Sequence, residues 1–451
     1  MYIWEESMKK SWYAHLGIAI SICSLWSYPA FAAETIRFLH NETDPPSIEY
    51  YNKAIADFEK QNPDIQVEME AAGTDARLQK LTAAVRAHTM PDVIKILPEE
   101  RDQLATNGYL EPIDDIVDSI GRSDFLDGLL VPVNGKVYDV PYTLGNFSVL
   151  WYRNDLLKQA GLAAPTNWDE TLAAAQKLTK DGIFGYAFPG GQNRQTSQVF
   201  AALMWSAGGT FFDSDFNVTF NNPGTIKALE YMKKIAAFSP PGYASYSAGD
   251  MVNVFLSGKV AMEVYAARVP GNVAVNNRDL LPKMGAAAAP KGPAGVAAEF
   301  VSGNSYAIAS AKGGAKHIEA AKKFLKFLMS KDQLTAFSLT AFPHFIPPLK
   351  SVQPGLIAAG SDSMGGHDEF AKLSFDISNG MDFNNEAGAK IVDGKIVRSG
   401  KINPYAGAVV ARGIPALVLQ RVLVNNESPE SAAAWGAQQM EAVVRELKAK
   451  N

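Results

Sequence analysis

The stretch that decides the fold is residues 35–94. It begins Thr35-Ile36-Arg37-Phe38-Leu39, which reads as a β-strand, and runs into the polar loop His40-Asn41-Glu42-Thr43-Asp44-Pro45-Pro46. Ile48, Tyr51, Ile55 and Phe58 then recur at helical spacing until Asn62-Pro63 stops the helix. Ile65 to Met69 is a second strand. Gly73-Thr74-Asp75 opens a second helix, with Leu78, Leu81 and Val85 on its apolar face, and Pro91-Asp92-Val93-Ile94 is a third, buried strand. This β-α-β-α-β order predicts an α/β fold on a parallel sheet with helices on both faces. Such sheets bind ligands outside the carboxyl ends of their strands. The loops at 40–44, 73–77 and 97–101 all lie there, so the pattern points to a cleft.

Upstream, Lys9-Lys10 precede an apolar run from Leu16 to Tyr28. That run is shorter than the ~20 residues a membrane-spanning helix needs. Ala30-Phe31-Ala32 follows with the small-x-small pattern of a signal-peptidase site. Residues 1–32 are therefore expected to be an export signal cut after Ala32, with Met8 a more natural start than Met1. Cys23, the one cysteine, follows Ile22 where a lipid-attachment site wants a small residue, so it belongs to the apolar run. The expected product is an exported, periplasmic, disulfide-free protein.

At 451 residues there is room for two or three domains. Hydrophobic residues at 47% and charged residues at 20% are ordinary for a globular chain. With 42 basic against 47 acidic residues the net charge is −5, which argues against a nucleic-acid partner. The chain has no Gly-x-Ser-x-Gly elbow, P-loop, dinucleotide glycine pattern or His-Glu-x-x-His. The six histidines show no metal-ligand spacing, and no cofactor is implied. Asp213-Ser214-Asp215-Phe216-Asn217 lacks the glycine and the acidic residue that a calcium loop needs, because Val218 and Gly224 stand there. It reads as a polar hairpin turn. Glu99-Glu100 and Asp114-Asp115 keep an exported carbohydrate-active enzyme open as a second reading, although adjacent carboxylates usually point apart.

From Gly135 onward the chain resembles a known family. Gly135-Lys136-Val137-Tyr138-Asp139-Val140-Pro141-Tyr142, Leu150-Trp151-Tyr152-Arg153-Asn154-Asp155-Leu156-Leu157 and Pro165-Thr166-Asn167-Trp168-Asp169-Glu170 are similar to segments of the family 1 extracellular solute-binding proteins of ABC importers. Phe58 to Ile65, Ala207-Gly208-Gly209, Phe220-Asn221-Asn222-Pro223, Phe255 to Met262 and Ser428 to Ala432 also match, in the family's order. Trp168 opens a helix that Thr166 or Asn167 can cap, with Leu172, Ala175 and Leu178 on one face.

The resemblance implies a two-lobed periplasmic-binding-protein fold of the maltose-binding type, with a hinge and several chain crossovers. Lobe one would hold 33–142 and 303–345, and lobe two 143–302 and 346–451. Ser305 to Ala309 as a strand and Ile318 to Leu328 as a helix support the first assignment, and Gly285 to Ala298 fits an inter-lobe connection or a surface loop. The implied function is a monomeric receptor that binds a small carbohydrate and delivers it to the permease subunits of the importer. A sugar site needs aromatic platforms and groups that take several hydrogen bonds.

By the resemblance the first lobe offers His40, Asn41, Glu42, Thr43, Thr74, Asp75, Glu99 and Glu100. The second offers Asn146, Gln192, Asn193, Trp205, Tyr265, Arg268 and Arg412, while Gly303, Asn304, Phe342 and His344 flank later crossovers. Other roles stay open: Trp205 as core beside Phe200 and Leu203, Asp75 as a helix cap, and His344 as a turn residue. Arg268 and Arg412 suggest an acidic group on the solute, since a guanidinium fork suits a carboxylate. Either arginine can equally pair with a carboxylate such as Glu263 or Glu427 or lie on the surface. A non-sugar solute on the same fold is a further alternative.

Overall fold

The computed structural model describes residues 33–377 and 380–449. The export-signal assignment falls on residues 1–32, which lie outside the described residues. The chain forms two lobes around two sheets. In the first, β1 (Glu34–His40), β2 (Ile65–Ala71), β3 (Val93–Ile96), β4 (Asp139–Asn146) and β8 (Glu299–Ile308) lie in the order β2-β1-β3-β8-β4. In the second, β5 (Val149–Arg153) is flanked by β6 (Met262–Tyr265) and β7 (Met284–Ala288). β9 (Gly380–Met381) pairs with the start of β8, and β10 (Lys390–Val392) and β11 (Lys395–Val397) form a small hairpin.

Only part of the first sheet is parallel. β1 runs parallel to β2 and β3, with Phe38 opposite Met69 and Val93, but β8 is antiparallel to both β3 and β4. The three strands read from residues 35–94 are parallel as expected, and the sheet becomes mixed where β8 joins it, for a topological reason. β8 is the strand by which the chain returns from the second lobe, and it enters the sheet from the opposite end.

The helix Pro45–Gln61 starts at Asp44, whose side chain accepts from the Ser47 backbone N–H, and it buries Tyr51, Ile55 and Phe58 as its spacing predicts. In the helix Thr74–Ala87 the register differs. Leu78 is 38% exposed, whereas Arg77 is fully buried, donating from Nη1 to the Lys95 carbonyl at 3.0 Å and from Nη2 to Glu100 at 2.6 Å. A buried guanidinium with both partners in place outweighs the burial of one leucine. Asn167 caps the helix Trp168–Leu178 by accepting from the Glu170 N–H, and Ile318–Leu328 is a helix packed on the first lobe. Asp213 accepts from the backbone N–H groups of Asp215 and Asn217, which makes the 213–217 segment a turn between Phe212 and Val218.

The cores show where the chain crosses. Ile36, Phe38, Phe58, Tyr306 and Phe324 pack in the first lobe; Phe200, Trp205, Phe220 and Phe300 form one core of the second, and Trp151, Tyr265 and Phe370 another. β4 stays in the first sheet to Asn146, four residues past the expected break, and β8 already begins at Glu299. Leu349 and Val352 still pack in the first-lobe core, so the third expected break at 345 also moves along the chain. Between the lobes, Leu144, Val301 and Ile346 form a small cluster of their own. The Gly285–Ala298 stretch is no inter-lobe connection: it holds most of β7 and then a loop closely packed on Ser206 of the second lobe.

Candidate functional site

The carboxyl ends of β1 and β3 carry the first lobe's contribution. His40, the last residue of β1, is fully buried, stacked on Phe38 with ring centroids 5.0 Å apart and tilted against Tyr51 at 4.2 Å. Its Nδ1 receives the Glu42 backbone N–H at 3.3 Å, and its Nε2 is buried without a partner. Burial, and then the positive charge of Lys95, push the imidazole down to about 4. Glu42 is buried and accepts from the Tyr142 hydroxyl at 3.2 Å. Burial raises its carboxyl, and Lys95 and Arg268 oppose that rise.

Lys95 sits one residue before the end of β3 and is 1% exposed. Burial, helped by Arg77 and Arg194, lowers its ammonium to about 7, while Glu100 and Glu42 work the other way. Behind it, the Arg77–Glu100 pair is closed, because Glu100 also accepts from the Leu97 N–H at the start of the helix Pro98–Thr106. Alongside, buried Arg101 donates to Asp102 at 2.8 Å and lies 3.8 Å from Asp139.

The second lobe answers with arginines. Arg268 precedes the helix Val269–Asn276 and lies near Glu42, Tyr265 and His344. A Cβ at Gly271 would stand 2.6 Å from the Phe342 carbonyl oxygen, so only glycine lets that helix approach the 342–344 turn. His344 is buried with its Nδ1 unpartnered and is held neutral by burial and by Arg268. Arg194 opens the helix Arg194–Ser206, lies over the Phe383 ring at 5.7 Å and acts on Lys95. Charges of one lobe thus act on charges of the other across the cleft.

Of the residues singled out in the sequence, the structure brings His40, Glu42, Arg268 and His344 into this neighbourhood. Others have local work. Asn193 caps its helix by accepting from Thr196 and donates to the Tyr246 carbonyl, and Glu100 is committed to Arg77. Asn146 is buried at the first crossover, donating to the Asp376 carbonyl and accepting from the Ser148 N–H. Gly303 and Asn304 pair with Leu144 and Thr143 in the β8–β4 ladder, and Asn41, Thr43 and Gln192 lie on loops.

Four assignments are corrected. Trp205 is second-lobe core, stacked on Phe300 at 5.8 Å, because an aromatic at helical spacing serves packing as readily as a ligand. Tyr265 and Phe342 are likewise packed in a second-lobe core. Arg412 forms an exposed ion pair with Glu446 at 2.5 Å. The side chains of Thr74, Asp75 and Glu99 lie outside the described residues.

Lys95, Arg194 and Tyr142 were not singled out in the sequence. Lys95 carried a usable signal, a lysine inside the apolar strand Val93-Ile94-Lys95-Ile96. Among the described residues no group of histidine, cysteine and carboxylate side chains is arranged to hold a metal ion, and no helix is long and apolar enough to cross a membrane.

The architecture has many counterparts. Maltose-bound MalE3 of T. maritima superposes with a TM-score of 0.75 at 24% identity, covering 91% of this chain and all of that one. An ABC transporter solute-binding protein of Agrobacterium vitis with bound D-mannitol gives 0.72 at 23% identity over 93% of this chain and 99% of its own. A protein of Brucella abortus, named only as a binding protein, is 30% identical over 335 residues, 73% of this chain and 80% of its own length. Residues 44–334 match the family described as bacterial extracellular solute-binding protein. Two lobes, a charged cleft between them and this match together establish that the chain belongs to the bacterial extracellular solute-binding proteins.

Proposed function

We propose that the receptor captures a carbohydrate or sugar derivative between its lobes and, by closing on it, presents it to the permease subunits of an importer, without turning it over chemically. On this reading it acts as an exported, periplasmic monomer. The observation that carries the proposal is the meeting of charges across the cleft: Glu42 and Lys95 of the first lobe with Arg268 and Arg194 of the second. A solute touching both sets stabilises the closed arrangement over any open one, which is how binding becomes a signal a transporter can read.

The chemistry suits a polyhydroxylated solute. Glu42 accepts hydroxyl protons, Tyr142 donates and accepts, and neutral His40 and His344 each offer a ring nitrogen without a partner. Solved structures of the same fold hold maltose and D-mannitol, which supports a sugar or polyol here. The crossovers at 146–149 and 299–301, with Leu144, Val301 and Ile346 between them, are the proposed hinge.

The test is small-angle scattering combined with a thermal-shift panel of sugars, alditols and sugar acids. A bound solute should raise the melting temperature and shrink the radius of gyration, and it should be recovered intact after long incubation. A chemically altered solute would replace the receptor reading with the enzyme one.

A further inference from the structure

We propose that the solute carries a carboxylate, seated between Lys95 of the first lobe and Arg268 of the second, and that this link across the cleft ties the closed lobes together. The inference rests on the cleft being the solute site, and it names the solute class as a sugar acid.

Lys95 is the first ground. Its side chain is 1% exposed, yet its Nζ makes no hydrogen bond and has no carboxylate within 4 Å among the described residues. A buried ammonium without a contact partner is a costly arrangement unless something else completes it. Arg77 cannot take part, because Glu100 and the Lys95 carbonyl already hold its two terminal nitrogens. Arg268 is the second ground. It is half-buried, likewise has no carboxylate within 4 Å among the described residues, and faces the same carboxyl group, Glu42.

The chemistry of the two cations selects the anion. Burial keeps His40 and His344 neutral at neutral pH, so neither competes for it. Arg194 is engaged by another group and lies over Phe383, although its charge also acts on Lys95. Asp44, which acts on Glu42, accepts from the Ser47 N–H at its helix N-terminus. Among the described residues, Lys95 and Arg268 are left without a carboxylate in contact. A carboxylate, with two oxygens that accept from an ammonium and a guanidinium at once, completes both. Glu42 is within electrostatic reach of both cations and in contact with neither, so the solute's carboxylate takes the contact positions while Glu42 receives a hydroxyl.

The arrangement also has a proton signature. The groups facing Lys95 are Arg77, Glu100, Glu42, Arg194 and His40, and together with burial they leave its ammonium near 7. An anion placed against it raises that value, so binding above pH 7 takes a proton from solution.

Thermal shift and calorimetry, with D-glucuronate and D-gluconate against D-glucose, D-glucitol, D-mannitol and maltose, and acetate and lactate as sugar-free carboxylates, test the proposal. A sugar acid should bind at least roughly tenfold tighter than its neutral counterpart. Lys95→Met and Arg268→Gln, checked for an intact melting transition, should each lose about tenfold or more for the acid and under about threefold for a neutral sugar. Calorimetry at pH 8 in two buffers of different ionisation enthalpy should show proton uptake that Lys95→Met abolishes. A neutral sugar binding as tightly as its acid overturns the inference and leaves the receptor reading standing. Binding of acetate or lactate alone keeps the carboxylate seat and overturns the sugar reading. Binding of none of these probes overturns both.

Discussion

β3 in the first lobe and β6 in the second are alike in sequence and opposite in consequence. Each is a four-residue buried strand with one acidic or basic residue inside it: Val93-Ile94-Lys95-Ile96 and Met262-Glu263-Val264-Tyr265. Lys95 stands at the cleft among charges of both signs, while Glu263 is 0% exposed with both carboxyl oxygens unpartnered, facing the second-lobe core of Trp151 and Tyr265. Burial alone raises the Glu263 carboxyl well above its usual range, so it is held as the neutral acid. The difference teaches that a buried ionisable group marks a binding site when charged groups of both lobes surround it and its protonation can still change near neutral pH. Without counter-charges, the group neutralises and joins the core.

The sharpest way to break the comparison is to remove the charge network behind Lys95. Arg77→Ala strips the partner from Glu100 and leaves the Lys95 carbonyl without its donor. The expected cost is about 3–5 kcal/mol of stability, the range for breaking one side of a buried pair. Urea unfolding measures it. The neighbouring Leu78→Ala, on the exposed face of the same helix, should stay within about 0.5 kcal/mol. A larger loss at Leu78 than at Arg77 would contradict the helix register described above.

The two strands should also tilt stability with pH in opposite directions. Glu263 keeps in the folded state a proton that the unfolded chain releases above about pH 4.5, so it lowers stability as pH rises from that point toward its own folded value. Lys95 is the reverse. Between pH 7 and 10.5 the unfolded chain holds a proton that the folded one has released, so stability rises with pH across that window. Each unit of mismatch contributes at most about 1.4 kcal/mol. Glu263→Met should therefore raise stability at pH 7 by about 1–3 kcal/mol and flatten the decline above pH 4.5, since it removes an unpaired buried carboxyl at nearly constant volume. Lys95→Met should remove the rise between pH 7 and 10.5. Thermal melts across pH 5–10 on the two variants distinguish these outcomes, and a loss of stability in Glu263→Met would reveal a partner for its carboxyl.

How much of this was legible in the sequence depended on which force decided each feature. The strands and helices around Tyr51, Asn167 and Phe324 follow from periodicity and capping, which are local, and they lie where the spacing places them. The antiparallel return of β8 depends on a route through the other lobe, which no local pattern records. His40 and Glu42 were readable because loops after parallel strands face the ligand side. Trp205 and Tyr265 were not, since an aromatic ring fits a core and a sugar equally well and the choice is made by neighbours such as Phe300. Arg77 was hidden by the apolar pattern of Leu78, Leu81 and Val85, because its burial depends on Glu100 and on a carbonyl of another strand.

The smallest expected effect concerns the arginine that left the site. Sequence resemblance placed Arg412 beside Arg268 as a second holder of an acidic group, but its side chain is 43% exposed and reaches Glu446 on the helix Pro429–Lys448. Such exposed pairs are worth about 0–1 kcal/mol, because water screens the attraction and two long side chains must be held still. Arg412→Gln should therefore change the melting temperature by a degree or so and leave solute affinity within about twofold. Salt sharpens the contrast. Raising ionic strength from 0.01 to 1 M shortens the screening length from about 30 to 3 Å, which should erase the small Arg412–Glu446 contribution. The Arg77–Glu100 contribution should persist, since Arg77 is fully buried and Glu100 nearly so. A large loss of affinity in Arg412→Gln would return this residue to the cleft and show that the lobes rearrange around it on binding.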